Sequence, residues 1–143
     1  MSADGQSIKE LHRGIIEGKT QEELDVFLWD AVLTYQDQTL HTLSGLEFSY
    51  TVKHKKNGEY SGELLVSRKE TSKTLTRSSV LLAFHKVLEA IEVTAEGDEA
   101  SFQPPAYRGP KAIGQIFGIS YIFSLFLEFG LIRLQENGRG RKA

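Results

Sequence analysis

Gly109 to Lys142 reads GPKAIGQIFGISYIFSLFLEFGLIRLQENGRGRK, and this segment holds the longest apolar run of the chain. Gly114 and Gly118 lie four residues apart near its start. A small residue at the first position lets two helices cross closely, and glycine at the second adopts the left-handed conformation that a tight turn requires. The spacing therefore predicts a helix, a tight turn and a second helix in this part of the chain.

The residues after the turn continue the same pattern. Ser120 is placed to cap the second helix, Gly130 to end it, and Leu131-Ile132 to begin a strand. Asn137 to Lys142, with the sequence NGRGRK, predicts a hairpin or arm rich in cations. With Val80–Ile91 as a supporting helix, the C-terminal third resembles winged helix-turn-helix DNA-binding domains. The resemblance implies that these elements contact DNA.

The second helix is apolar around most of its circumference, and its polar residues are Ser120, Tyr121, Ser124 and Glu128. A helix of this composition is normally buried. Two interpretations stay open. Either nucleic acid is contacted mainly through the arm and neighbouring cations, or the helix belongs to the core or faces a partner. A membrane span needs about 20 predominantly apolar residues. Only 15 uncharged residues run from 113 to 127, so we expect no membrane association.

Charge is segregated along the chain, although the formal net charge is only −2. Residues 1–47 carry −6, 48–86 carry +5, 87–99 carry −5 and 100–143 carry +4. Such blocks predict either a basic face opposite an acidic one or ordinary solvated surface. The absence of cysteine excludes disulfides and thiolate metal sites. Because the N-terminus lacks the apolar segment of a signal peptide, we expect a cytoplasmic protein.

The N-terminal part predicts two helices. Apolar residues repeat at helical spacing from Ile8 to Ile16, with Gly18 as the stop and residues 1–7 as a frayed end. Thr20-Gln-Glu-Glu23 has the pattern of a capping box, which predicts an amphipathic helix over residues 21–36.

The apolar period changes from 3.6 to 2 between Leu46 and Val52, which indicates a strand with one wet face. A short strand at 39–43 precedes it, and Asn57-Gly58 supplies a tight turn to a return strand that continues through Val66. We therefore predict an antiparallel meander of three strands. A fourth short strand at 73–75 is left as an alternative to an extended polar connection.

A further helix follows, capped by Thr76 or Ser78. The segment 94–107 contains Glu, Asp, Gly, Ser and two prolines, and we expect it to be a surface loop. The fold class is therefore α+β, with an N-terminal amphipathic helix, a small antiparallel meander and a C-terminal helical part resembling a winged helix. We expect one domain over residues 1–143, with residues 138–143 flexible.

The residue patterns of known catalytic sites are missing from the sequence. The four histidines are scattered, and no phosphate-binding loop, dinucleotide fingerprint or nucleophile elbow occurs. His85 and Glu89 lie four apart on one predicted helix, a spacing more typical of a solvated contact than of a metal or acid–base pair. We therefore expect no enzymatic activity, no cofactor and no metal.

The remaining signal is the distribution of cations on loops, which suits contacts with phosphates that do not depend on sequence. We expect a nucleic-acid-binding or nucleoprotein accessory domain, with duplex DNA as its ligand. The alternative is a protein-interaction module or homodimer that packs the apolar surface of residues 119–129 against a partner. The expected nucleic-acid contacts are Lys53, Lys55, Lys56, Arg68, Lys69, Lys73, Arg77, Arg108, Lys111, Ser120, Tyr121, Arg139, Arg141 and Lys142.

Overall fold

The computed structural model describes residues 3–97 and 99–135. Two helices, α1 (Ala3–Glu17) and α2 (Gln21–Thr34), open the chain as a helical hairpin. The prediction that residues 1–7 fray is wrong for residues 3–7, which belong to α1. The hydroxyl oxygens of Ser7 and Thr34 lie 3.0 Å apart and tie the start of α1 to the end of α2.

The capping box at the start of α2 is confirmed. The N–H of Glu23 donates to Thr20 Oγ1 at 3.1 Å, and the N–H of Thr20 donates to Glu23 Oε1 at 3.0 Å. The helix ends at Thr34, two residues earlier than predicted, because Tyr35 is its C-cap and Asp37 adopts a left-handed conformation with φ of 67°.

Four antiparallel strands follow in the order β1-β2-β3-β4. Their bounds are Leu40–His41 for β1, Glu47–His54 for β2, Tyr60–Arg68 for β3 and Thr71–Thr76 for β4. The predicted meander is confirmed, and the fourth strand pairs with β3 over its whole length. In β2 the side chains of Phe48, Tyr50 and Val52 are buried, while the intervening residues face outward.

Helix α3 (Arg77–Ala90) begins directly after β4 and is capped by Thr76, whose Oγ1 accepts from the N–H of Ser79 at 3.1 Å. A two-stranded antiparallel hairpin, β5 (Glu92–Glu96) and β6 (Glu99–Gln103), and the short strand β7 (Ala106–Tyr107) come next.

The prediction of a loop over residues 94–107 is therefore wrong. The hairpin lies on the surface, and Phe102 is the one residue of β6 that is buried, so the strands show little apolar alternation in sequence. The ring of Phe102 packs edge-on against His12 of α1, with ring centres 4.9 Å apart.

The C-terminal part contains a 3-10 turn (Pro110–Ala112), helix α4 (Ile119–Glu128) and strand β8 (Arg133–Leu134), which pairs in parallel with β7. Gly118 has φ of 76° and precedes α4, so the predicted left-handed turn is confirmed. The predicted helix before that turn is wrong. Because Pro110 starts the segment and Gly114 interrupts it, the backbone forms only a 3-10 turn and then irregular structure.

Helix α4 lies at the centre of the core. Seven of its ten residues are buried, and the ring of Phe126 packs against Phe84 of α3. Its apolar side chains therefore pack within this chain, which corrects the expectation that residues 119–129 would cover a partner. At its end, the N–H of Gly130 donates to Leu127 O and that of Leu131 donates to Phe126 O, a Schellman motif that ends the helix at the predicted glycine.

The architecture is α+β, as predicted, with α2, α3 and α4 in contact with one face of the sheet. Among the described residues, no helix combines the length and apolar composition of a membrane span. The predicted arm at 137–142 and the flexible segment 138–143 lie outside the described residues.

Candidate nucleic-acid interface

The predicted cations divide between two ends of the sheet. Strand β3 has nine residues, which corresponds to a length of about 27 Å. Lys55 and Lys56 lie in the turn before β3, whereas Lys69 lies in the turn after it. The expectation of one basic surface that joins the hairpin tip to residues 68–77 is therefore wrong.

At the hairpin-tip end, two of the predicted cations are engaged within the protein. Lys53 Nζ lies 3.7 Å from Glu63 Oε1. The guanidinium carbon of Arg77 lies 5.2 Å from the centre of the Trp29 ring, a cation–π contact between α3 and α2. These interactions partly satisfy both charges, which makes this end the weaker candidate.

At the other end, Arg68 is held by neutral partners. Its Nη1 donates to Tyr121 OH at 2.8 Å, and its Nε and Nη2 donate to Thr71 Oγ1 at 3.1 and 2.9 Å. Tyr121 is only 7% exposed, with its ring packed edge-on against Phe48. The prediction that Tyr121 contacts nucleic acid is therefore corrected, because the buried tyrosine orients Arg68 instead.

Two open cavities flank the N-terminus of α4 and share Pro110 and Ser120 as walls. One, of about 440 Å³, is lined by Arg108, Gly109, Pro110, Lys111, Ala112, Ile119 and Ser120. The other, of about 390 Å³, is lined by Thr42, Leu43, Ser44, Leu46, Arg68, Pro110, Ser120 and Tyr121. Because both cavities reach Ser120, they bring Arg68, Arg108 and Lys111 to one side of the molecule.

Ser120 does not cap α4 as predicted. The N-cap is Gly118, which has no side chain to accept a hydrogen bond, and Ser120 is an exposed residue of the first turn. Its hydroxyl therefore faces the shared wall of the two cavities.

Phe117, which the sequence analysis did not single out, also lies at this end. The residue directly precedes the turn glycine and is 60% exposed, and Lys73 Nζ of β4 lies 5.3 Å from its ring centre. We call the surface formed by Arg68, Lys73, Arg108, Lys111, Phe117 and Ser120 the α4 N-terminal surface. Lys69 lies apart from it, in a cavity that it lines together with Glu47.

The charge around this surface is uncompensated. Within residues 3–97 and 99–135, none of its four cations forms an ion pair with a carboxylate. The acidic segments lie elsewhere, because β6 packs on α1 and His12 of α1 lies 2.7 Å from Phe129 O, at the opposite end of α4. The fold thus separates a basic end from an acidic body.

The C-terminal segment joins the molecule beside this surface. The N–H of Gln135 donates to Tyr107 O at 2.7 Å, one residue before Arg108. Arg139, Arg141 and Lys142 lie outside the described residues. Arg139 follows Gln135 by four residues, so their Cα atoms are at most about 14 Å apart.

Partial burial raises the pKa of Tyr107, so its phenol stays neutral beside Arg108 at physiological pH. Among the described side chains, no three His, Asp or Glu residues form a group that could hold a metal ion. Comparison of the chain with protein-family models, with curated proteins and with solved structures finds no match.

Proposed function

We propose that this protein binds the phosphates of nucleic acid at the α4 N-terminal surface, as a non-enzymatic accessory domain in the cytoplasm. The observation that carries this proposal is the convergence of Arg68, Arg108 and Lys111 around the first turn of α4, with no carboxylate paired to them in the described part of the chain. Such cations favour a phosphodiester chain, because each phosphate that they neutralise releases condensed counterions.

Arg68 is preorganised for this role. Three of its N–H groups donate to Tyr121 and Thr71, which fixes the plane of the guanidinium. One further N–H remains on each terminal nitrogen, and this pair matches two oxygens of a phosphate. Because the side chain is already ordered, binding costs less conformational entropy than it would for a free arginine.

Helix α4 adds to the attraction for anions. Its N-terminus carries the positive end of the helix dipole, and no side chain caps it. The Ser120 hydroxyl is exposed in the first turn and can donate to a phosphate oxygen. These contacts position a nucleic-acid backbone without reading its sequence.

The burial of α4 determines the mode of binding that we propose. A recognition helix inserts its side chains into the major groove, whereas α4 has most of its side chains in the core. Under this proposal, the resemblance to winged helix-turn-helix domains concerns the turn, α4 and the strand that follows. Contact with nucleic acid passes through the surrounding cations.

Fluorescence anisotropy with labelled oligonucleotides, measured over a series of salt concentrations, tests the proposal. We expect binding at about 50 mM salt that weakens steeply as salt rises. The double variant Arg108→Glu with Lys111→Glu should lose at least about tenfold in affinity and flatten the salt dependence by roughly two contacts.

The matched control is Lys55→Glu with Lys56→Glu, which changes the charge equally at the far end of β3. We expect this control to lose much less affinity. The proposal is overturned if neither single-stranded nor duplex oligonucleotides bind at about 50 mM salt, or if both double variants weaken binding equally.

A second candidate function is docking of a protein partner at the same end. It is favoured by Leu43 and Leu46, which are 47% and 37% exposed and line the cavity that contains Arg68. Self-association through these residues would appear in light scattering as a mass that rises with concentration and that Leu43→Ser lowers. A constant monomer mass would rule out a homodimer at this site.

A further inference from the structure

We propose that Phe117 is a stacking platform for an unpaired base, so that the ligand of the α4 N-terminal surface is single-stranded nucleic acid. This inference rests on the proposed function, and it specifies which form of nucleic acid the surface binds.

The backbone holds Phe117 outward. Ile116 and Ile119 on either side of the turn are buried, and the N–H of Ile119 donates to Ile116 O at 3.0 Å. With Gly118 in the left-handed conformation between them, the turn directs Phe117 away from the core. A large aromatic side chain gains stability from burial, so its exposure at this fixed position favours a role in binding a ligand.

Lys73 gives the platform a cation. Its ammonium lies over the Phe117 ring and forms no ion pair within the described residues. The cation–π contact orders both side chains before a ligand arrives. An aromatic face with an adjacent cation can hold a base and its phosphate together, and this combination is characteristic of proteins that bind single strands.

The structure favours a single strand over a duplex. In a duplex the base faces are stacked on one another, and a protein reads only their edges in the grooves. Helix α4 is buried and offers no row of polar side chains for those edges. A single strand exposes its base faces, and stacking on Phe117 requires only a face.

The test compares two probes of equal length and charge, an oligothymidylate of about 12 nucleotides and an abasic chain. For the wild-type protein we expect the oligothymidylate to bind roughly 5- to 100-fold more tightly than the abasic chain. Phe117→Ala should remove this preference without changing the affinity for the abasic chain, and Phe117→Trp should retain it. The matched control is Leu82→Ala, which removes another exposed apolar side chain, on α3.

The outcomes separate the two proposals. If the protein binds both probes equally and Phe117→Ala changes neither affinity, the stacking inference is overturned and phosphate binding stands. Tighter binding of a duplex than of its separated strands, unchanged in Phe117→Ala, also overturns the inference. If no probe binds at about 50 mM salt, the proposed function fails and the inference fails with it.

Discussion

The Nη1 of Arg68 donates to the phenolic oxygen of Tyr121 at 2.8 Å, which joins the end of β3 to the first turn of α4. The tyrosine ring packs on Phe48 inside the core, and only its hydroxyl reaches the surface. The core therefore sets the position of a cation that we place in the binding surface.

Tyr121→Phe should lower oligonucleotide affinity several-fold, because Arg68 loses one of the acceptors that orient it, and should lower the free energy of unfolding by about 1 kcal/mol. Anisotropy and urea denaturation measure the two effects. Tyr50→Phe is the control, since its hydroxyl donates to Val32 O at 2.6 Å in the core, and it should lower stability without changing affinity. In an Arg68→Ala background, Tyr121→Phe should no longer affect binding. Fully additive losses would contradict the coupling.

Gly118→Ala should destabilise the protein by about 2 to 4 kcal/mol, measured by urea denaturation. Its φ of 76° disfavours any residue with a Cβ, and a Cβ here would overlap the side chain of Leu75. Gly18→Ala is the control, because Gly18 has φ of 74° and open space around its Cβ position. It should lose only the backbone contribution, about 1 kcal/mol. Equal losses at the two sites would show that the contact with Leu75 is unimportant.

Local patterns in the sequence predicted much of this fold. The Thr20–Glu23 capping box, the alternation in β2 and the left-handed turn at Gly118 each depend on residues within one or two turns of chain. Their hydrogen bonds and dihedral angles are set by neighbours in sequence, so the pattern is sufficient to identify them.

Features that depend on tertiary contacts could not be predicted in the same way. The hairpin at β5 and β6 has little buried surface apart from Phe102, so its sequence is like that of a loop. The grouping of Arg68 with Arg108 and Lys111 requires the placement of α4 against the sheet, which no local spacing encodes. Phe117 appeared as one apolar residue in an apolar run, and only its exposure in the structure distinguishes it from its buried neighbours.

The capping box should contribute stability that depends on pH. The hydrogen bond from the Thr20 backbone N–H lowers the pKa of Glu23 below its ordinary value of 4.5. A carboxyl with a depressed pKa in the folded state stabilises the protein above its unfolded pKa, and this contribution is lost as pH falls through the folded pKa. Thermal unfolding should therefore show wild type above Glu23→Gln at neutral pH, with the difference vanishing in acid. Glu22→Gln, in the same turn, should show a smaller dependence on pH, and an equal dependence would contradict the capping effect.

The C-terminal arginines should strengthen binding because of where the chain attaches. The hydrogen bond from Gln135 N–H to Tyr107 O places the start of this segment beside Arg108. Reversal of both charges, Arg139→Glu with Arg141→Glu, should lower oligonucleotide affinity and reduce the salt dependence by roughly one contact per phosphate lost. The matched control is Lys9→Glu with Arg13→Glu on α1, which makes the same change in net charge on the acidic body. Binding through a local surface predicts a much smaller loss for this control, whereas attraction by net charge alone predicts equal losses.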